Sequence, residues 1–148
     1  MRRSTTSSVF PDINVWVALS LERHLHHAVA SDWFDDLDRD TSFFFCRFTQ
    51  LGLLRLWTTV AVMAKDVMTQ QEAWTAYDRF FGDQRIAFLE EPPTLETHFR
   101  VASRRRHPAP KDWADCYLVA FAEAAGLTLV TFDRALKAKS KSAVLLAE

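Results

Sequence analysis

Three aspartates stand where an ordinary surface acid would not. Asp12 lies in "VFPDINVWVAL" (residues 9–19), with Phe10, Ile13, Val15 and Trp16 close by. A carboxylate among such neighbours is costly to bury unless it is paired. Asp133 closes the apolar run "LTLVTFD" (127–133). Asp115 lies in "KDWADCYLVAFAEAAG" (111–126), three, four and seven residues before Leu118, Val119 and Ala122, at the head of an apolar helical stripe. A place in the first helical turn favours an exposed anion by only about 0.3–1 kcal/mol. Full desolvation costs several kcal/mol per ion, and carboxylates brought together repel one another. A hard divalent cation resolves both costs, because Mg2+ and Mn2+ prefer oxygen ligands. Taken singly, each acid could equally be a helix cap or half of an ion pair. Taken together, at two strand ends and a helix start, they predict metal ligation. Gln50 shares a helical face with Leu53, Leu54 and Trp57 and so points inward. Its amide could hold a water on the metal or a neighbouring carboxylate, or be a satisfied core polar group. Other acids, such as Asp35, Asp36, Asp38, Asp40, Glu90 and Glu91, fall on a helix's polar face or at a strand's end before prolines.

The elements that must position these residues follow from periodicity and punctuation. "SSVF" (7–10) reads as a strand closing at Pro11–Asp12, and "INVWVALSL" (13–21) as a helix. His26 to Asp38 carries a helical stripe of Val29, Trp33, Phe34 and Leu37. "TSFFFC" (41–46) is a strand covered on both faces, and "FTQLGLLRLWTTV" (48–60) a second amphipathic helix. "TQQE" (69–72) is a capping box opening a helix that Gly82 stops. "RIAFLEE" (85–91) reads as a strand and "PPTLETHFRVASRRR" (92–106) as a proline-opened helix. Asp112 can cap the start of the next helix and Gly126 its end. "LTLVTFD" is the clearest strand, ending on Asp133. A helical turn, "RALKAK", and a final edge strand, "SAVLLA", follow it. Strands alternating with helices predict an α/β domain with a mainly parallel sheet and helices on both faces. In such sheets the site lies at the carboxyl ends of the strands, where their order reverses.

Composition narrows the function classes. The 148 residues suit one domain, taken as 1–148, with residues 1–8 expected to be a flexible extension. Three glycines and five prolines argue against disorder. No apolar run reaches the roughly 18 residues of a membrane helix, and no signal peptide is evident, so a cytoplasmic protein is expected. Cys46 and Cys116 are then expected to be reduced packing thiols. A net charge of -1 is unlike that of a protein that coats nucleic acid. Any polyanion must meet a local patch, and the candidates are "RRRHPAPK" (104–111) and the tail lysines Lys137, Lys139 and Lys141. Either could equally be a solvated helix end or tail. No glycine-rich phosphate loop is present. His24, His26 and His27 lack Cys or Glu at zinc spacing, and helix-start and surface roles are expected for them. An aspartate-nucleophile phosphatase would want an acid at the position of Asn14.

Four stretches in order, "PDINVWVAL", "CRFTQLGLLRL", "DWADCYLVAFA" and "LVTFDRAL", make the chain resemble the PIN-domain ribonucleases, and among them the VapC-type toxins of bacterial toxin–antitoxin pairs. The resemblance implies a PIN-like three-layer α/β/α fold and metal-dependent hydrolysis of RNA. It implies Asp12, Asp115 and Asp133 as ligands of Mg2+ or Mn2+, and Asn14 and Thr131 as supporting polar residues. The family usually carries an acid, commonly Glu, near Gln50, and this chain resembles a branch with "TQLG" there. The swap removes one negative charge from the site. Arg104, Arg105 and Arg106 could hold the RNA backbone, and Trp113 or Trp16 could stack on a base, though packing is the expected role of both. A tRNA or ribosomal RNA substrate, a homodimer and a small VapB-type antitoxin are further implications. The alternative is a degenerate PIN fold that binds RNA or protein without cutting.

Overall fold

The computed structural model describes residues 7–147. Five parallel strands form one sheet: β1 (Ser8–Pro11), β2 (Ser42–Phe45), β3 (Ile86–Phe88), β4 (Thr128–Thr131) and β5 (Val144–Leu145), in the order β3-β2-β1-β4-β5. The helices are α1 (Ile13–Ser20), α2 (His27–Asp36), α3 (Arg47–Trp57), α4 (Val60–Met63), α5 (Gln70–Phe80), α6 (Leu95–Ala102), α7 (Trp113–Ala125) and α8 (Arg134–Ala138). The chain builds outward from β1 through β2 to β3, then returns to β1's other side with β4. The order therefore reverses between β1 and β4, where such sheets place a ligand.

Side-chain alternation along the strands divides the core in two. Val9, Phe43, Phe45 and Val130 face a cluster with Trp16 of α1, Leu53 and Trp57 of α3 and Tyr77 of α5. Phe10 and Leu129 face the other, made by Leu118, Val119 and Phe121 of α7 with Leu95 of α6 and Leu136 of α8. The first cluster is dominated by aromatics, with Trp16 stacked on Phe45 at 4.0 Å. Gly52 lets α3 approach α1, since a Cβ there would collide with the Ile13 side chain.

Pro11 shapes the end of the central strand. It has no N–H to donate, and the registered β1–β2 pairs stop at Val9–Phe43. On the other side the ladder continues through Pro11–Val130, and the Asp12 N–H donates to the Val130 carbonyl at 2.8 Å. Asp12 thus stays registered against β4 while β2 has parted from β1.

Most expected elements form, several with different bounds: β3 and β4 are shorter than expected, at Ile86–Phe88 and Thr128–Thr131. The segment 60–66 folds into α4 and a 3-10 turn, which the pattern did not announce. The proline-opened helix starts only at Leu95 and stops at Ala102. Residues 1–6 of the expected extension lie outside the described residues, whereas Ser8 already pairs with Ser42 in β1. Both cysteines, Cys46 and Cys116, are buried with free thiols. No helix among the described residues is long and apolar enough to cross a membrane.

Candidate functional site

Asp12 caps α1. Its Oδ1 accepts the Ile13 N–H at 2.7 Å and its Oδ2 accepts the Thr131 hydroxyl at 2.9 Å. The residue is only 7% exposed. Burial pushes its carboxyl above the usual range; the Thr131 and Ile13 hydrogen bonds pull it down, and the charges of Asp115 and Asp133 push it up again. The charges of Asp115 and Asp133 thus act on Asp12 at the β1–β4 reversal.

Thr131 ends β4 and is fully buried. Its hydroxyl donates to Asp12 and accepts the Asp133 N–H at 2.9 Å, so one side chain orients two candidate ligands. Asp133 is not the strand's last residue, because β4 stops at Thr131. It caps α8 instead, accepting the Ala135 and Leu136 N–H groups at 2.8 and 3.3 Å. Both bonds fall on Oδ1, which leaves Oδ2 free for a ligand.

Asp115 is also not the lone buried charge its stripe implied. It lies at the margin of α7's packed face, with its side chain 25% exposed, and its Oδ2 accepts from Lys139 Nζ at 2.8 Å. That hydrogen bond pushes the Lys139 ammonium above its ordinary value. Asp112 occupies the N-cap position of α7 without a capping bond from its side chain. Its carboxylate is drawn to Arg105 Nε at 3.5 Å and Lys139 Nζ at 3.7 Å instead. The sequence reading missed Lys139 and Asp112 as members of this cluster. The spacing of Asp112 and Asp115 does put both on one helical face, but a lysine 24 residues downstream carries no local signal.

Gln50 is buried on α3. Its Oε1 accepts from Arg47 Nη1 at 2.6 Å, and its side chain hydrogen-bonds the Tyr77 hydroxyl. Asn14 is exposed on α1. Arg104, Arg105 and Arg106 are all exposed, and Arg105 also binds the Ala102 and Arg104 carbonyls at 3.1 and 2.9 Å. Trp16 is fully buried but Trp113 is 58% exposed, so packing describes only the first. The three histidines are held locally: His24 Nδ1 accepts the His26 N–H at 3.0 Å, His27 Nδ1 meets the Ala18 carbonyl at 2.7 Å, and His26 stacks on Phe132 at 4.4 Å.

The chemistry of the donors fits a hard divalent cation: Asp12, Asp115 and Asp133 all offer carboxylate oxygen, and burial of Asp12 makes a counter-charge favourable. Among the described residues, no three His, Cys, Asp or Glu side chains are drawn tightly enough together to enclose an ion. Lys139 supplies the cluster's positive charge.

A PIN-domain family model matches residues 9–142. Ribonuclease VapC41 of Mycobacterium tuberculosis is 43% identical over 128 residues, covering 84% of this chain and 88% of its own. The crystal structure of VapC20 from the same organism, a sarcin-ricin loop cleaving toxin, matches with a TM-score of 0.65 at 13% identity, over 89% of this chain and 95% of that one. A chain of the Rickettsia felis VapBC2 complex bound to a promoter DNA fragment also matches at 0.65, with 11% identity, over 93% and 96%. The family model spans most of the chain and a ribonuclease relative covers 84% of it, so the chain belongs to the PIN-domain family and, within it, to the VapC ribonucleases.

Proposed function

We propose that this VapC-family ribonuclease is a cytoplasmic toxin that hydrolyses RNA phosphodiester bonds with Mg2+ or Mn2+ held by Asp12, Asp115 and Asp133, and that a VapB-type antitoxin silences it. The observation that carries the reading is Asp12: a buried carboxylate at the sheet's reversal point, oriented by two hydrogen bonds and opposed by the charges of Asp115 and Asp133. A cation bound there would acidify an attacking water and offset charge developing on the phosphate. The protein's own part is orientation. Ile13 and Thr131 fix both oxygens of Asp12, and the α8 cap fixes Asp133 with one oxygen to spare. Lys139 is the charge with which a cation competes for Asp115.

The exposed Arg104 and Arg106 would hold the RNA backbone, and Asn14 and Thr131 support the site. The substrate is of the tRNA or ribosomal RNA class; VapC20, of the same fold, is a sarcin-ricin loop cleaving toxin. The VapBC2 complex supports an antitoxin partner. Exposed Leu51, Val60, Val62 and Trp74 on α3, α4 and α5 give a homodimer an apolar surface to bury.

Expression of the chain alone should arrest growth, and Asp12→Asn should abolish the arrest; an equally toxic variant would overturn the assigned site. A second reading, a binding module that does not cut, is favoured by the engagement of Gln50 with Arg47 and of Asp115 with Lys139. Mn2+ titration of purified protein with RNA separates the two. Binding heat and metal-dependent cleavage support the toxin, and the absence of both supports the binding module.

A further inference from the structure

Beside the carboxylates lies a cavity of about 320 Å3, between the loop that follows α6 and the first turn of α7. We propose that it is a nucleobase subsite selective for guanine, an inference that rests on the RNA-cleaving reading above. Its walls are flat and apolar, built by Pro108, Pro110 and Trp113, and its polar groups include Arg105, His107 and Asp112. A volume near the low end of ligand pockets, about 300 Å3, suits one flat ring system.

Trp113 distinguishes this cavity. Trp16 and Trp57 are fully buried, while Trp113 is more than half exposed at the mouth of a pocket. Its ring is braced by Phe99, edge to face at 6.0 Å. Exposed aromatic rings beside basic residues are how proteins stack unpaired RNA bases. Arg104, Arg106, His107 and Lys111 lie exposed along the same loop, a positive rim suited to phosphates. That complementarity favours RNA over a peptide as the occupant.

The polar pair selects the base. Arg105 Nε and Asp112 Oδ2 form an ion pair at 3.5 Å, longer than a good hydrogen bond, which a base edge offering donors and an acceptor together can replace. Asp112 is not committed to capping α7. Of the four RNA bases, only guanine presents two adjacent donors, N1–H and N2–H, to a carboxylate, with the O6 acceptor beside them for a guanidinium. The subsite also borders the site. Asp112 and Asp115 share the Lys139 ammonium, at 3.7 and 2.8 Å. A base seated in the cavity thus brings its phosphate alongside the carboxylates. Asp112 and Arg105 act as specificity residues, distinct from the metal ligands.

The test uses the full chain carrying Asp12→Asn, so that binding is read without cleavage. Five-residue RNAs of uridine with a central G, inosine or A are titrated while tryptophan fluorescence is followed. The G-containing RNA should bind about tenfold or more tightly than the A-containing one. Inosine, which lacks the N2 amino group, should fall between them. Adding Asp112→Asn should remove the preference, and adding Trp113→Ala, read by anisotropy of end-labelled RNA because the reporting ring is gone, should weaken all three RNAs together, with circular dichroism unchanged. Equal affinity for G and A, or a preference that survives Asp112→Asn, overturns the proposal, as does quenching by an arginine-bearing peptide but by no oligonucleotide. None of these outcomes bears on whether Asp12 is needed for cleavage, which the growth-arrest experiment decides separately.

Discussion

At the amino end of β3, Asp83 faces Arg85; at the carboxyl ends of β1 and β4, Asp12 and Asp133 lie near the helix-borne Asp115, which alone of the three meets Lys139. The two regions use the same chemistry with opposite balance. Asp83 accepts from Arg85 Nε at 3.1 Å and Nη2 at 2.9 Å, and Arg85 Nη1 reaches the Phe34 and Leu37 carbonyls at 3.2 Å. The guanidinium also lies over the Phe34 and Phe43 rings, at 4.4 and 5.1 Å. Charge, donors and planar surface are all matched. At the other end the negative groups outnumber the positive one, and Asp12 stays buried with its charge opposed by two neighbours. A matched pair stabilises the fold. A surplus of like charge costs stability and is what a cationic ligand is suited to relieve.

The sharpest way to break this contrast is Asp12→Asn. Cleavage should fall on the order of 10²- to 10³-fold, since a metal's contribution to phosphoryl transfer amounts to several kcal/mol. Stability should move the other way. A buried acid whose pKa is raised binds its proton more tightly when folded, so ionisation at neutral pH opposes folding. Asparagine removes that opposition and remains a good helix cap. A gain of about 0.5–2 kcal/mol is expected, read as a raised Tm. A variant that is both inactive and less stable would show that Asp12 is a structural group like Asp83.

Arg85→Ala tests the matched region. It removes charged hydrogen bonds to two backbone carbonyls and a carboxylate, each about 1.5–3 kcal/mol. A net loss of about 2–3 kcal/mol should lower Tm by roughly 4–10 °C, while cleavage per folded molecule stays unchanged. Lys139→Met sharpens the comparison at the other end. If the ammonium competes with a metal for Asp115, Mn2+ should bind about fivefold or more tightly without it, the size of one screened charge contact. Weaker folding with unchanged Mn2+ affinity would instead make Lys139 the counterpart of Arg85.

The sequence disclosed what local rules govern. Thr69 and Glu72 form the expected capping box, each side chain binding the other's N–H. Gly126 takes the left-handed conformation, φ 69°, that ends α7. Asp12 stood out because a charge amid apolar residues is anomalous without any structure. Relations across the chain were hidden. Lys139 read as a solvated tail lysine, and only the packing of α8 against the sheet brings it to Asp115. Asp112 read as a cap because its position fits one, yet two distant cations outcompete the backbone N–H groups for its carboxylate. The α4 segment escaped because a four-residue helix is too short to show a period, and Ala64 turns the chain at φ 50° where no glycine marks it.

The smallest expected effect concerns pH and sets Asp83 against Asp12 directly. The Arg85 hydrogen bonds hold the Asp83 carboxyl below the usual carboxylate range. An acid whose folded pKa lies below its unfolded value, about 3.9, contributes stability that is fully present above the unfolded pKa and is lost as pH falls through the folded one. Asp83 is about one-third exposed, so solvent screening limits the contribution to less than about 1 kcal/mol. The stability difference between the parent and Asp83→Asn, measured by urea unfolding, should therefore hold from pH 7 to about 5 and shrink toward pH 3. For Asp12 the sign reverses, because its folded pKa is raised. The excess stability of Asp12→Asn over the parent should be largest at neutral pH and shrink as the parent's carboxyl takes up its proton. Two variants with opposite signs at pH 7, both converging on the parent in acid, would establish that the two ends of the sheet hold their carboxylates in opposite ways. Curves of the same sign would show that Asp12 is as well matched as Asp83 and that its burial carries no charge penalty.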